Sequence, residues 1–378
     1  MKFSVSANQL YDAMREAKRV IPRSSTMPIM EMIRLEKTDE GVSLRGTDGQ
    51  LFIERELDVS HRPMGGGADT VAIPAQRTID TLSALPDIPV EITVSEELEI
   101  RIETEQGVYE MVGKPGVDFP EVPDETVIDT IPASQIKEGI DRTSFAVGDD
   151  ALRPAMMGVL LDGSTNNVVA TDGHQLSRFS TEIPIDENVI LSQDGVSLMQ
   201  RFIGEGSTLK ITQGYGILDA EEATVFFPRI DAPYPNYESV IPDNNEKTLR
   251  VNREDLEGAV TRATIYTSSV TNQIRFSISP NRVTVAAQDN ERRSEAEESI
   301  YGDYDGEPMD IGFNGNYIQN LLGNIDTEEV VFKLSSPNRA ATVFPDNDED
   351  HLMLIMPVML DPARAQEAEE EAEAPATA

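Results

Sequence analysis

QLYDAMREAKRV (Gln9–Val20), QIKEGIDRTSFA (Gln135–Ala146) and DLEGAVTRATIY (Asp255–Tyr266) are one amphipathic pattern written three times, at spacings of 126 and 120 residues. Two further landmarks keep step with it. TDGQL begins at Thr47, TDGHQL at Thr171 and the looser AQDNE at Ala287. VAIP ending at Pro74, VILS ending at Ser192 and DIGFN ending at Asn314 each bring an apolar run up to a residue that can start a helix. Three landmarks in constant order, about 120 residues apart, imply three tandem domains of one fold rather than a solenoid of short units. Enzymes rarely need three copies of one scaffold, whereas rings and scaffolds do.

Local chemistry predicts what each copy contains. In the first, Ser6 and Gln9 have capping-box spacing, and Leu10, Met14, Ala17 and Ile21 share one helix face. The second helix pattern carries Ile136 and Ile140 after Pro132; the third carries Leu256, Val260 and Ala263 after Asn252, and both flanking residues suit a helix start. Strand signals then run into Asp48-Gly49, Asp172-Gly173 and Asp289-Asn290, pairs that tolerate the positive φ of a tight turn. A second helix follows, on Ile79 and Leu82, on Val196, Met199 and Phe202, and on Tyr317 and Leu321. Alternating runs such as VEITV from Val90 and LEIRIET from Leu98 close the unit. The fold class is therefore α+β, two helices on antiparallel sheet per copy. The Pro-marked stretches DFPEVPDE and YPNYESVIPDN set the domains at 1–125, 126–248 and 249–360, and the acidic tail 361–378 is expected to be disordered.

Composition restricts the function classes. Against 31 Lys and Arg stand 68 Asp and Glu, a formal net charge of −37. So acidic a chain repels phosphate on average, yet a local basic face can still meet DNA. Only 8 of the bases are Lys, and the acids are spread over every domain, which suggests adaptation to a salt-rich cytoplasm where screening makes such charge tolerable. With no Cys there are no disulfides and no thiolate chemistry. No run is apolar enough for a membrane span or a signal peptide, which points to the cytoplasm.

No catalytic constellation emerges. His61, His174 and His351 are far apart, no phosphate-binding loop is present, Gly65 to Gly67 reads as a turn, and the acidic run from Asp346 lacks the Gly and terminal Glu of a calcium loop. The expectation is no catalytic residue, no metal and no cofactor. One stretch opposes the overall charge: Arg15, Lys18, Arg19 and Arg23 stand against Glu16 alone. Arg15, Lys18 and Arg19 lie away from the apolar face of their helix. Arg142, Arg253 and Arg262 recur on the matching helices, which suggests a shared lining for sequence-independent phosphate contact.

From Met1 to Leu360, MKFSV at the start, TDGHQL at 171–176, the FP and YPNY linkers, IGFN at 311–314 and MPVML at 356–360 together resemble the bacterial DNA polymerase III beta subunit, the sliding clamp. The resemblance implies a clamp-type domain in three copies and a head-to-tail dimer, a homodimer closing a six-domain ring around double-stranded DNA. It implies a non-catalytic processivity factor whose partners are the polymerase III alpha subunit, the clamp loader delta subunit, and other polymerases and repair proteins that dock through short peptides. The family's peptide groove maps onto Met156, Thr171, Gly173, His174, Leu176, Pro235, Val240, Asn314, Tyr317, Leu354, Ile355, Met356, Pro357, Val358 and Met359. Adaptable methionines suit a groove with many partners. The subunit interface maps onto Tyr109 and Met111 against Ile265 and Tyr266.

Gln193, Asp194, Ser239 and Asp150 depart from the family's usual residues and thin the positive lining, which leaves Arg15, Lys18, Arg19 and Arg23 as the DNA-contact set. The alternatives are an acidic protein-binding scaffold that never meets DNA, and an enzyme with three related domains, which would need converging titratable groups.

Overall fold

The computed structural model describes residues 1–39, 41–59 and 67–360. His61, Gly65, Gly66 and the tail 361–378 lie outside the described residues. Among the described residues six α-helices occupy the places the repeats dictate: α1 Ala7–Ala17, α2 Ala75–Ser83, α3 Ala133–Thr143, α4 Gln193–Phe202, α5 Arg253–Thr264 and α6 Gly315–Leu322. The Ser6 hydroxyl accepts from the Gln9 amide, and the Asn252 and Asn314 side chains accept from the Asp255 and Asn316 amides. Each cap satisfies one of the donors that a helix start leaves orphaned. Leu10, Ala13, Met14 and Ala17 of α1 and Leu256, Ala259, Val260 and Ala263 of α5 are buried, as are Ile136 and Ile140 of α3. The helices are amphipathic because one stripe must cover sheet.

The Asp turns explain the second landmark. Asp48 accepts from the amides of Gln50 and Leu51, and Asp172 from those of His174 and Gln175, while Gly49 and Gly173 take φ of 97° and 91°. The third copy keeps the carboxylate without the glycine: Asp289 accepts from Glu291 and Arg292. Here the left-handed residue is Arg293, at φ 53°, and not Asn290 as the sequence pattern suggested. Asp289 is itself paired, with Ser294, whereas Thr47 pairs with Phe52 and Thr171 with Leu176, so the third turn closes one residue later relative to its Asp and its left-handed position lies downstream of the Asp-Asn pair.

Described residues divide into two compact units, Met1–Lys137 with Asp194–Ile230, and Glu138–Gln193 with the chain from Asp231. This division follows sheets. In the first unit a four-stranded antiparallel sheet runs in the order Lys2–Ser6, Pro89–Val94, Glu99–Glu103, Val108–Val112. A nine-stranded sheet joins Phe52–Leu57 of the first repeat to Thr224–Pro228, the last strand of the second, with Ile53 opposite Val225.

The second unit repeats the arrangement. Gln175–Ser180 of the second repeat pairs with His351–Ile355, the last strand of the third, with Leu176 opposite Leu354. The remaining four-stranded sheet ends on Ser294–Ile300. Thus the strand after each Asp turn is paired with the closing strand of the next repeat, except in the third. Ser294–Ile300 and the closing strand of the first repeat, Val108–Val112, are both free edges.

Candidate peptide groove and basic helix

A cleft of about 520 Å³ opens in the second unit. Met156, Thr171, Gly173, His174, Leu176, Pro235, Val240, Leu354 and Met356, all expected there, line it. Its floor is apolar because Leu176 and Leu354 are cross-strand partners in the sheet shared by the second and third repeats. The TDGH turn forms one wall. Thr171 donates through its hydroxyl to the Gln175 carbonyl, which fixes the turn, and the His174 carbonyl accepts the Met356 amide at 2.8 Å. The TDGH and MPVML landmarks are thereby hydrogen-bonded together.

Six expected groove residues fall outside the cleft lining. Tyr317 is its neighbour: the phenol ring stacks on His174, 6.1 Å between centroids and 19° from parallel. Burial and the Asp172 carboxylate push its hydroxyl up to about 12, so the phenol keeps its proton at neutral pH and can donate a hydrogen bond. Asn314 caps α6. Ile355 is fully buried among core residues of the third repeat and faces away from any ligand. Pro357 is half-buried, Val358 tacks the terminal run to the sheet by donating to the Gly312 carbonyl at 2.8 Å, and Met359 is exposed.

The opposite wall comes from residues that the sequence reading missed: Asn236, Tyr237, Ile241, Pro242 and, across the cleft, Arg339 and Ala340. The signal was present in YPNY. The Tyr237 hydroxyl donates to Asp162 at 3.0 Å and reaches Thr165 at 2.9 Å, so the proline-marked stretch is pinned against the second repeat rather than left as a free tether.

Among the described residues Arg15, Arg19 and Arg23 are exposed and make no ion pair, while Lys18 donates to Gln76. The companions expected on other helices are neutralised. Arg142 is held by Glu138 and Asp348 at 3.0 and 3.1 Å and lies over the Phe179 ring. Arg253 pairs with Glu254 and Glu257, and Arg262 donates twice to Glu298 at 2.6 Å. A shared basic lining through these three is therefore corrected: their charge is already spent on carboxylates.

At the free edges, Ile265 is 73% exposed and Tyr266 is also exposed. Met111 is not. It points into the core, where its sulfur accepts from the Thr78 hydroxyl, and Tyr109 is half-buried on the same face. The alternation of the strand leaves Val108 and Val112, the latter 67% exposed, as its outward apolar residues. Among the described residues no His, Asp and Glu cluster has metal-binding geometry, and no helix is long and apolar enough to cross a membrane.

Three family models match in chain order: the DNA polymerase III beta subunit N-terminal domain over residues 1–123, its central domain over 130–236 and its C-terminal domain over 238–359. The beta sliding clamp of Pseudomonas aeruginosa is 29% identical over 95% of this chain and 100% of its own, and that of Escherichia coli K12 is 28% identical with the same coverage. A crystal structure of the Pseudomonas aeruginosa sliding clamp (DNA polymerase III subunit beta) bound to griselimycin superposes with a TM-score of 0.88 at 28% identity, over 95% of this chain and all of that one. Its three repeats are three tandem clamp domains, and the chain belongs to the DNA polymerase III beta subunit family, the beta sliding clamps.

Proposed function

We propose that the protein is a processivity factor of DNA replication, acting without catalysis in the cytoplasm. Two chains join head to tail into a six-domain ring, encircle duplex DNA irrespective of its sequence, and tether the polymerase III alpha subunit, the clamp loader delta subunit and other replication and repair proteins. Domains of 1–125, 126–248 and 249–360 each contribute one sixth of the ring, followed by the acidic tail 361–378.

The observation that carries this reading is the pair of free edges. Within the chain, Phe52–Leu57 pairs with Thr224–Pro228, and Gln175–Ser180 with His351–Ile355. The equivalent third strand, Ser294–Ile300, has no following repeat, and Val108–Val112 has no preceding one. An unpaired edge is a template for another strand. Pairing Ser294–Ile300 of one chain with Val108–Val112 of a second repeats the existing joint, and doing so twice closes a symmetric dimer. Ile265, Tyr266, Val108 and Val112 supply apolar cover beside it.

The cleft is assigned to partner peptides. Its apolar floor takes side chains, each contributing about 1.5–3 kcal/mol on full burial, while Gly173 keeps backbone accessible. Arg15, Lys18, Arg19 and Arg23 are assigned to DNA phosphate, as sliding contacts that are weak and salt-sensitive. Extension of a primed single-stranded circle by polymerase III tests the function. Added chain together with its loader lengthens the product of one binding event; products of unchanged length would refute it.

A further inference from the structure

The two joints made inside the chain are sealed by apolar pairs. In each, the strand after an Asp turn and the closing strand of the next repeat put alternate residues on two faces. The helix side of the first joint carries Ile53 opposite Val225; that of the second carries Ser177, which donates to the Arg142 carbonyl of α3, opposite Met353. On the other face the first joint sets Phe52 opposite Phe226, rings 6.4 Å apart and edge-on, and the second sets Leu176 opposite Leu354.

The free edges carry acids on that same face. On Ser294–Ile300 the helix side is marked by Glu298, which Arg262 of α5 holds, so Glu295 and Glu297 lie on the other face, both exposed. On Val108–Val112 the helix side is marked by Met111, bonded to Thr78 of α2, so Glu110 stands between Val108 and Val112 on the other face. Arg101, opposite Glu110, divides itself between Glu110 at 2.9 Å and Glu103 at 3.2 Å, which leaves that patch net negative. Among the described residues neither Glu295 nor Glu297 has an ion pair. The arginines of their own sheet are engaged or displaced: Arg282 donates to Ser299, Arg292 leans toward Asp289, Arg293 sits in the turn, and Arg275 lies a strand further in, opposite Ala286.

We propose that the joint between chains is gated by ionic strength: cations that screen Glu110 of one chain from Glu295 and Glu297 of the other let the two edges pair, and dilution of salt opens the ring there. This rests on the ring-closing reading above. Like charges across a strand pair are destabilising, and carboxylates on a free edge keep it from pairing indiscriminately. The screening length falls from about 10 Å at 0.1 M salt to about 3 Å at 1 M, below the roughly 5 Å between side chains facing across a strand pair. A symmetric dimer makes this joint twice, so each repulsion counts twice. Phe52, Phe226, Leu176 and Leu354 carry no charge, which confines the opening to the joint between chains.

Sedimentation equilibrium of the full chain measures the dimer dissociation constant, over potassium chloride from the lowest concentration at which far-UV circular dichroism is native up to about 2 M. The dimer should tighten roughly tenfold or more as salt rises. Glu295→Gln combined with Glu297→Gln should tighten the low-salt dimer by roughly tenfold and flatten the dependence. Glu182→Gln combined with Glu187→Gln removes the same charge from exposed positions off the edge and leaves both near wild type. A wild-type dimer that weakens with salt, or an edge pair of substitutions that behaves like the control pair, overturns the gate while leaving a dimeric ring intact. A monomer at every salt concentration overturns the ring-closing reading, and the gate with it.

Discussion

His351 opens the strand that pairs with the TDGH strand, carries the groove residue Leu354 and leads into Met356, and its protonation should loosen that joint. The imidazole is fully buried. Nε2 lies 3.0 Å from the Ser177 hydroxyl, Nδ1 has no partner, and the Phe179 ring packs edge-on. Burial, reinforced by the Arg142 guanidinium and opposed by Asp348 and Asp326, pushes its pKa from 6.5 down to about 4. Between those values the unfolded chain binds a proton that the native chain refuses, so stability falls as pH drops through the window. At 1.36 kcal/mol per unit the full effect is about 3 kcal/mol, complete below roughly pH 4. Urea unfolding of wild type and His351→Leu at pH 7.5, 6.0 and 4.5, at one protein concentration, isolates it from the many carboxylates that titrate in both. The stability gap between the two proteins should shrink or invert by roughly 2–3 kcal/mol on acidification. A gap independent of pH would refute the reasoning.

Other outcomes follow from the same structure. Met356→Ala should weaken a polymerase-tail peptide roughly tenfold by calorimetry, while a chain ending at Leu360 keeps that affinity and one ending before Leu354 loses it. Ile265→Asp or Val112→Asp should yield monomers by sedimentation, with monomer melting unchanged, because neither side chain is buried in a single chain. With a net charge of −37, thermal stability should rise by roughly 5 °C between low and molar potassium chloride, since screening relieves self-repulsion; a flat or falling series would remove the salt-adaptation reading.

The repeat, the helix caps and the Asp turns were legible because each is encoded within a few residues. Ser6 and Asn252 each accept from a helix amide three residues on, and Asp48 and Asp172 bond amides two and three residues on. What escaped is non-local. Alternation in Phe52–Leu57 says which face is buried but not that its partner is Thr224–Pro228 in the next repeat, so the division into two units was not foreseen. The resemblance places Met111 in the subunit interface, whereas the phase of its own strand buries it in the core. Arg262 of α5 looks free in sequence because Glu298 lies 36 residues on, in the strand Ser294–Ile300, and among 68 acids no spacing singles out the carboxylate that will claim an arginine. The groove was half legible: the TDGH and MPVML walls carry motifs, while the Asn236 to Pro242 wall depends on Tyr237 reaching Asp162 across 75 residues.

The most direct measurement is retention on DNA before and after linearisation. Chain loaded on a nicked circle and separated by gel filtration should co-elute with the circle at a salt concentration that abolishes simple phosphate contact, and should be lost once a single cut gives it ends to slide from. Equal retention on circle and line, or none on the circle, would contradict closure of a ring through the edges Val108–Val112 and Ser294–Ile300.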